Sequence, residues 1–412
     1  MSSSRDNFIK FSESPILIID GDRGKNYPSQ EELHESGYCL FLNAGNVTKD
    51  GFVFGKNQFI TKEKDLQLRK GRLTRGDIVL TTRGTVGNVA LFNDSIPFDN
   101  IRINSGMVIF RNTNPELIST KYFYYYLRSS SFFSQVFSHS SGSAQPQLPI
   151  KDLREIVIPL PSISEQCNIA EILSALDDKI ELNRQTNATL EAIAQAIFKE
   201  WFVDFNYPGA TGEMVDSELG LIPRGWDAGN LGDIITQRTE RIREKSATIL
   251  SAVASGELIP SDDFFSKRVY SKDIKNYLLV RQWDFAYNPS RINIGSIGLN
   301  KNDSIGAVSP VYVVFSPKKD FHWFIEFFLR IKSTKIWINT LASGSVRQAL
   351  PFKELASIPL VIPSLEIIYQ FNAIWDDLFH GFTLLSEEAA TLQQIRDSLA
   401  NKLISGELEL KI

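Results

Sequence analysis

Two long stretches of the chain carry apolar side chains in alternating steps of four and three residues. From Ser164 no proline or glycine occurs until Pro208, and the apolar face of this stretch comprises Ile169, Leu173, Leu176, Ile180, Asn183, Asn187, Leu190, Ala194, Ile197 and Trp201. The positions 202 residues later keep the same phase, and they are Phe371, Trp375, Leu378, Phe382, Leu385, Ala389, Leu392, Arg396, Leu399 and Leu403. Such a heptad seam needs a partner. The pattern therefore predicts two long helices that pack on each other as a coiled coil.

The first seam has a polar centre at Asn183 and Asn187. Buried polar groups at such positions can fix the register at some cost in stability. Alternatively, the seam is open to solvent there or is covered by another protein, and the sequence leaves both interpretations standing. In the second seam, Gly381 is expected to loosen the helix.

Shorter apolar runs indicate the remaining elements. β-Branched runs at 77–81, 106–110 and 311–315, bounded by Gly, Asn and Pro, predict strands of a mixed sheet. The aromatic stretches 120–137 and 321–341 are long enough to be buried helices. Their apolar stripe is more typical of a core than of a surface that stacks on bases.

The chain repeats itself at half its length. SGSAQPQLPIKDLREIVIPLPS at 141–162 aligns without a gap with SGSVRQALPFKELASIPLVIPS at 343–364, with ten identities. Upstream, RGTVGNVAL at 83–91 resembles RINIGSIGL at 291–299, which pairs Arg83 with Arg291 and Gly87 with Gly295. A fixed period of this kind indicates duplicated architecture. Halves related by a pseudo-two-fold axis would make the two long helices antiparallel.

The predicted fold class is α/β (α+β), with two duplicated domains that contain mixed sheets and are separated by the two long helices. We predict a first domain at 1–160, a central spacer helix at 161–205, a second domain at 206–362 and a C-terminal spacer helix at 363–412.

The net charge of each segment differs between the predicted domains and the predicted helices. The net charge of −4 argues at first sight against a nucleic-acid partner. Residues 1–160 carry +3 and residues 221–362 carry +6, whereas residues 161–220 carry −8 and residues 363–412 carry −5. Both predicted domains thus carry a net positive charge, and the net negative charge is confined to the two helical stretches.

Composition excludes several classes of protein. With 43% apolar and 22% charged residues, the 412-residue chain is that of a packed globular protein. The first thirty residues lack the pattern of a secretory leader and no run of eighteen apolar residues occurs, so we expect a cytoplasmic protein. Cys39 and Cys167 are interpreted as reduced packing residues. Four scattered histidines give no metal-ligand spacing.

No catalytic motif withstands inspection. GDRGK at 21–25 lacks the spacing of a phosphate-binding loop. YNPS at 287–290 lacks the second proline and the aromatic residue of an amino-methyltransferase site, and no Gly-rich loop precedes it. Glu409 and Lys411 have no partner acid nearby to hold magnesium. We therefore expect that the chain is not an enzyme and that, alone, it neither cleaves nor methylates DNA.

DNA reading would instead come from basic and amide side chains on the two domains, because Lys and Arg neutralise phosphates and Arg, Asn, Gln and Ser reach base edges. Candidates in the first domain are Lys25, Asn26, Tyr27, Asn46, Lys49, Arg83, Thr85, Asn88, Arg102 and Asn104. Candidates in the second domain are Arg238, Arg241, Arg243, Lys245, Lys267, Arg268, Asn288, Arg291 and Asn293. For any single residue, ordinary surface or turn chemistry is the competing interpretation.

The duplicated Ser-Gly-Ser at 141–143 and 343–345 is followed by Gln145 and Gln147 in one copy and by Arg347 and Gln348 in the other. Small residues beside amides suit a loop that approaches a phosphate backbone. A tight turn that leads into a strand explains the glycine equally well.

Several segments resemble the specificity subunits of Type I restriction-modification systems. These are the Pro-Ser-x-x-Glu-Gln start of the first helix (161–166), LEAIAQAIFKEWFVDF (190–205), the IPRGW segment (222–226) and the tail LANKLISGELEL (399–410). The resemblance covers nearly the whole chain. Two departures occur: the second helix lacks the Glu-Gln start, and no IPRGW segment opens the first domain.

The resemblance implies a non-catalytic, DNA-binding subunit whose two target-recognition domains each read one half of a bipartite double-stranded site. It implies two methyltransferase subunits as partners, with restriction subunits in the cleaving complex. S-Adenosylmethionine, ATP and magnesium would be used by those partners, and this chain would hold no cofactor. A stand-alone DNA-binding regulatory protein is the alternative, and an enzyme with an unrecognised site is a more distant one.

Overall fold

The computed structural model describes residues 7–139, 147–243, 246–265, 268–342 and 349–410. The chain divides into two compact units. The first unit is formed by Met1–Arg184 together with Ser386–Ile412, and the second unit is Gln185–Leu385. Each unit thus contains one basic segment and a part of each long helix. The domain limits expected from the sequence stay a prediction.

The first unit is built on a four-stranded antiparallel sheet, whose strands in spatial order are Ile16–Asp20, Met107–Asn112, Ile78–Thr81 and Val89–Leu91. A second sheet places Cys39–Phe41 between Phe59–Ile60, antiparallel to it, and Ile101–Arg102, parallel to it. Two short antiparallel pairs complete the unit, Phe8–Lys10 with Val157–Pro159 and Val47–Thr48 with Gly51–Phe52.

The second unit repeats this topology. Its four-stranded antiparallel sheet has the order Ile235–Arg238, Val313–Pro317, Phe285–Tyr287 and Ile297–Leu299. Its mixed sheet has four strands in the order Leu258–Pro260, Thr248–Ala252, Gly306–Val308 and Leu278–Val280. The parallel pair lies in the interior of this sheet, whereas it lies at the edge of the three-stranded sheet in the first unit. Asp227–Asn230 pairs with Pro359–Ile362, and Met214–Ser217 forms a hairpin with Gly220–Pro223. The predicted duplication and mixed sheets are confirmed.

Most helices of the first half recur in the second half of the chain. The first half has 3-10 turns at Phe11–Glu13, Gln30–Glu32 and Ala44–Asn46, helices at Lys62–Gln67, Thr120–Tyr126, Ser130–His139 and Ile150–Leu153, and the first long helix at Ile163–Phe202. The second half has 3-10 turns at Leu231–Asp233 and Ile292–Ile294, helices at Ser261–Phe264, His322–Phe328, Lys332–Leu341 and Phe352–Ala356, and the second long helix at Leu365–Ser405. From Thr120 onward, each helix of the first half has a counterpart that begins 202 residues later.

The aromatic stretch 120–137 is two helices rather than the single helix expected. The first ends because the backbone N–H of Ser129 bonds to the carbonyl of Tyr126, three residues back, and the Ser129 hydroxyl donates to the same carbonyl. That hydroxyl also accepts from the N–H of Phe132, which caps the next helix. The stretch 321–341 is also two helices, with the break between Phe328 and Lys332, although Ile331 provides no side-chain cap there.

Aromatic side chains fill both cores, as predicted. In the first unit Tyr122 and Phe123 are buried against Phe11 and Phe110. In the second unit the buried cluster comprises Phe198, Phe202, Trp226, Phe324, Phe327, Phe371 and Trp375. Since both long helices contribute to each core, each domain is fused to its part of the helix pair by apolar packing.

The two long helices run antiparallel, as predicted. In the first unit the Arg396 Nη1 donates to Asp177 Oδ1 at 2.6 Å, and the Asn183 Nδ2 donates to Glu388 Oε2 at 2.6 Å. As residue numbers rise along the first helix, they fall along the second. All seam residues are buried or half-buried in both helices.

Asn183 and Asn187 lie inside the seam, which decides between the two interpretations of its polar centre. Both residues are buried. The Asn187 Nδ2 donates to the carbonyl of Phe382 at 3.1 Å in the second unit. Gly381 does not interrupt the second helix, so the expected loosening of the helix is absent from its backbone path.

Gln166 explains the Glu-Gln start of the first long helix. The side chain is fully buried. Its Oε1 accepts from the N–H of Ser119 at 2.8 Å, and its Nε2 donates to the carbonyls of Leu117 and Pro161 at 3.1 and 2.9 Å. At the equivalent place the second helix has buried Ile368, and Asn372, one turn later, donates to the carbonyl of Asp320 at 2.8 Å. The two helices are therefore anchored by different residues.

Candidate nucleic-acid interface

In each unit, one edge of the four-stranded sheet gathers the loops that carry basic residues. Asp20 pairs with Val108, and Val108 pairs with Leu80, so the loops at 21–25, 82–88 and 103–106 meet at one edge. In the second unit Arg238 pairs with Val314, which pairs with Ala286. Segments 239–243, 288–296 and 309–312 meet there in the same way. We refer to these places as the loop edge of each unit.

Arg23, Lys25 and Arg83 are exposed at the loop edge of the first unit. The Asp22 carboxylate ties a further segment to them, because it accepts from the N–H of Arg69 at 2.8 Å and from that of Gly24 at 3.0 Å. These bonds lower the pKa of Asp22, so the carboxylate stays ionised.

Three basic residues were thus missed by the sequence reasoning: Arg23, and the exposed Arg69 and Lys70. Arg23 belongs to GDRGK, which was considered only as a phosphate-binding loop. Arg69 and Lys70 are more than forty residues away along the chain. No local signal in the sequence places them beside this loop.

A small pocket opens at the same edge. Arg83 and Gln147 are opposite each other in an isolated antiparallel bridge. Together with Asp20 and Arg23 they line a cavity of about 260 Å³. Arg23 and Asp20 form an ion pair at 3.0 Å at its rim. This arrangement offers cations, a carboxylate and an amide within one concave surface.

Arg102 is buried and has a structural role in place of the DNA contact expected from the sequence. Its guanidinium bonds to the carboxylate of Asp65 and donates to the carbonyls of Asp65, Leu68 and Lys70 at 2.8, 3.1 and 2.7 Å. These bonds use four of the five N–H donors of Arg102. The buried side chain is therefore committed to the fold.

Three asparagines of the first unit also serve the fold. Asn46 is buried and its Nδ2 donates to the carbonyl of Val53 at 3.0 Å. Asn88 is half-buried and donates to the carbonyl of Val47 at 2.9 Å. The Asn104 Oδ1 accepts from the N–H of Gly106 at 2.8 Å. Their side chains stabilise turns, which is the competing interpretation stated above.

The other candidates of the first unit lie nearer the surface. Lys25, Lys49 and Thr85 are exposed. Asn26 donates to the carbonyl of Gln67 at 3.2 Å, and Tyr27 packs edge-on against Phe41 with 5.6 Å between ring centres. Of the sequence candidates, Lys25 and Arg83 are the exposed cations that the structure brings to the loop edge.

Among the sequence candidates of the second unit, five arginines are exposed: Arg238, Arg241, Arg243, Arg268 and Arg291. Segment 239–243 is held beside 275–279 by backbone hydrogen bonds, for example from the N–H of Arg243 to the carbonyl of Lys275 at 3.1 Å. The Arg241 Nη1 donates to Asn276 Oδ1 at 2.9 Å. This ordered segment and Arg291 carry cations to the loop edge.

The remaining candidates of the second unit differ in position. Arg268 lies over the ring of Tyr270 at 4.5 Å, and the Asn288 Oδ1 accepts from the N–H of Ser290 at 3.0 Å. Asn293 is half-buried. Lys245 and Lys267 lie outside the described residues, as do both Ser-Gly-Ser segments.

Gly87 and Gly295, the glycines paired by the repeat, have φ angles of +99° and +91°. A Cβ on Gly87 would lie 2.4 Å from the ring of Phe133, and one on Gly295 would lie 2.5 Å from the carbonyl oxygen of Ala254. These glycines therefore permit close packing within each unit. Approach to DNA is not needed to explain them.

Within the parts of the chain that the structure describes, no group of three or more His, Cys, Asp and Glu could hold a metal ion. The helices of those parts are too short or too polar to cross a membrane. Burial, with a smaller contribution from Asp65, raises the pKa of the Cys39 thiol to about 12, so it is not a thiolate at neutral pH. Cys167 is exposed rather than packed.

Residues 17–192 match the family model of the Type I restriction modification DNA specificity domain. The chain is 30% identical over 406 residues to the specificity subunit of the Type I restriction enzyme EcoBI of Escherichia coli, which covers 90% of this chain and 83% of that protein. It is 29% identical over 356 residues to the MjaIX specificity subunit of Methanocaldococcus jannaschii, with 82% and 78% covered.

A solved structure has the same fold. The S subunit of the Type I restriction-modification system of M. genitalium superposes with a TM-score of 0.52 at 16% identity, and the match covers 98% of this chain and 96% of that one.

Proposed function

The chain belongs to the specificity subunits of Type I restriction-modification enzymes, and from this premise we propose that its two units each read one half of a bipartite DNA target. Recognition of a DNA target is the task of such a subunit, whereas methylation and cleavage are not. The observation that carries the proposal is the duplicated loop edge. Two sheets of identical strand order present basic loops at corresponding ends, Arg83 in one and Arg291 in the other.

The charge distribution supports this use of the two edges. Arg and Lys at the loop edges neutralise phosphates, which supplies affinity but little sequence information. Amide and carboxylate groups among them supply base contacts. The net negative charge of the chain lies on the helices and the segments around them, where it would repel DNA and keep the duplex on the loop edges.

Replacement of Arg83 or Arg291 by alanine is the test of this proposal. Each change is expected to weaken binding to all sequences alike and to lower the slope of log K against log salt by about one unit, because one phosphate contact is lost. The measurement is a salt titration of DNA binding by the full chain, with fluorescence anisotropy as the readout.

The control is Arg224→Ala, which removes an exposed arginine that is paired with Glu213 at 3.0 Å and belongs to none of the loop-edge segments. Its affinity and slope should match the unchanged protein. Unaltered slopes for both Arg83→Ala and Arg291→Ala would assign these arginines to the surface and remove the loop edges from the DNA interface.

We further propose that each unit binds one methyltransferase subunit through its part of the helix pair. The first unit exposes Ile172, Leu182 and Ile395 there, and the second unit has Ile374, Leu384 and Ile193 at the equivalent positions. Leu182 and Leu384 are 56% and 52% exposed. Exposed apolar groups within an acidic surface mark a protein interface, and duplicated sets suit two copies of one partner. Restriction subunits would join this assembly.

Single replacement of Leu182 or Leu384 by aspartate is expected to leave a complex with one methyltransferase subunit instead of two, and the double replacement a chain with none. A buried charge without a partner would be costly at such an interface. Native mass spectrometry of the reconstituted complex counts the subunits.

Thr189→Asp, on an exposed part of the same helix pair, is the matched control and should keep both copies. Two bound copies in both single variants and in the double variant would contradict the docking surface. DNA binding by the free chain would be unaffected by that outcome, so the reading function is tested separately.

The cofactors follow from this division of labour. We propose that S-adenosylmethionine binds the methyltransferase subunits and that ATP and magnesium serve the restriction subunits. The complex would act on DNA in the cytoplasm.

A further inference from the structure

Gln147 has a fixed position at the loop edge of the first unit. It is opposite Arg83 in an antiparallel bridge, and the N–H of the next residue, Leu148, donates to the carbonyl of Thr82 at 3.1 Å. Leu148 is buried, and Pro149, with φ of −65°, begins the helix Ile150–Leu153. The bridge to Arg83, the buried Leu148 and Pro149 thus fix the backbone on the C-terminal side of Gln147. Its side chain therefore projects from a rigid backbone.

The side chain of Gln147 faces the same way as that of Arg83, because residues directly opposite in an antiparallel pair point to one face of the sheet. Both line the cavity of about 260 Å³, with Asp20 and Arg23. Gln147 is exposed, and its amide makes no hydrogen bond with any residue in the described part of the chain. The amide is thus available to a ligand at this pocket.

The chemistry of this group selects its ligand. A glutamine amide offers one acceptor and a donor side by side, which matches the N6 donor and N7 acceptor of adenine in the major groove. Arg83 and Arg23 flank it with positive charge suited to phosphates. Resting on the proposed function, we propose that Gln147 specifies an adenine in the half-site read by the first unit, while the two arginines hold the adjacent backbone.

The second unit lacks this group. At the position 202 residues later stands Ala349, which is exposed, and the N–H of Leu350 donates to the carbonyl of Pro289 at 3.0 Å, as Leu148 does to Thr82. Arg238 takes the register position of Asp20. The backbone frame is therefore preserved while the amide is lost and a carboxylate is replaced by a cation. An adenine that is read by this glutamine therefore belongs to the half-site of the first unit.

Selection of bound duplexes from a randomised DNA pool, followed by sequencing, tests the assignment. The full chain, in complex with its methyltransferase subunits, is compared with Gln147→Ala and Gln147→Glu. Gln147→Ala should lose its preference for adenine at one base pair of one half-site, with a loss of about tenfold or more in affinity for the original target. Gln147→Glu, now an acceptor only, should favour cytosine there, because cytosine presents the N4 donor.

Three controls separate the outcomes. Gln30→Ala removes an exposed glutamine of the same unit and should leave the selected sequence unchanged. Arg83→Ala should weaken binding at every sequence without changing the selected bases. Unfolding temperatures of all variants verify that they are folded.

If the unchanged protein selects a defined bipartite sequence and both Gln147 variants select the same one, Gln147 does not read a base and the inference fails, while the proposed function stands. If the unchanged protein selects no sequence, the proposed function itself fails. A shift at the second half-site in place of the first would also overturn the assignment.

Discussion

Replacement of Arg102 by alanine is expected to lower the free energy of unfolding by about 3–5 kcal/mol, which is the usual effect of removing one partner from a buried ion pair. The change leaves the Asp65 carboxylate, which is 1% exposed, without its bond to Arg102. It also frees the carbonyls of Leu68 and Lys70 from their donor. Urea denaturation of the full chain measures the loss.

Arg72→Ala is the matched control, because Arg72 contacts the same carboxylate at 3.3 Å but is 43% exposed. Exposed ion pairs contribute on the order of 0–1 kcal/mol, so this variant should lose little. The double variant Asp65→Leu with Arg102→Met should recover part of the stability by removing both charges. A loss below about 1 kcal/mol for Arg102→Ala would contradict the structural role and return this residue to the DNA candidates.

Lengthening the helix pair by four residues in each helix is expected to move the preferred spacer of the target one or two base pairs longer, with both half-site sequences unchanged. The first long helix has 40 residues, or roughly 60 Å at about 1.5 Å per residue. Four more residues add about 6 Å, close to two base pairs at about 3.4 Å each. They turn the following segment by about 40°, against about 70° for two base pairs of DNA.

The antiparallel pairing determines where the insertions belong. One follows Arg184 and the other follows Leu385, where the compact units divide, so that the contacts Asn183 to Glu388 and Asn187 to Phe382 are both kept. An insertion in the first helix alone, for example near Asn187, would shift one seam against the other and would test stability instead of spacing.

Binding to targets that differ only in spacer length is the measurement. The lengthened protein should lose on the order of 1 kcal/mol or more on the original spacer, since the duplex must bend or twist to fit. An unchanged optimum in a folded, doubly lengthened protein would show that the helix pair does not set the spacing.

The sequence was most informative where structure depends on local period. The seams from Ile169 to Trp201 and from Phe371 to Leu403 have the period of the helix itself, so the burial of their apolar positions was predicted and is confirmed. For Asn183 and Asn187 the sequence left the question open. The break at Ser129 was not predicted. It depends on one hydroxyl, which bonds to Tyr126 and Phe132, within a stretch whose pattern is dominated by aromatic residues. The division of the chain into units could not be predicted either, since it depends on pairing between segments about 200 residues apart.

At the candidate interface, the sequence could name residue types but not their surroundings. Arg83, which follows the strand Ile78–Thr81, and Arg102, which lies in the strand Ile101–Arg102, were equivalent candidates in the sequence. One is exposed at the loop edge, and the other is buried on Asp65, 37 residues earlier in the chain. Gln147 was noticed only as part of a flexible amide-rich segment, because its bridge to Arg83 joins residues 64 positions apart. Long-range contacts thus decide which polar groups remain available for a ligand.

The chain segments that form the two units determine the order in which they can fold during synthesis on the ribosome. The second unit is one continuous segment, Gln185–Leu385, whereas the first needs Ser386–Ile412 to complete its core, where Leu403 and Ile404 are buried and Asn401 accepts from the N–H of Ser130. Nascent chains commonly fold from the N-terminus onward. Here the first unit emerges first but is completed later, because it must wait, partly assembled, until Ser386–Ile412 has been translated.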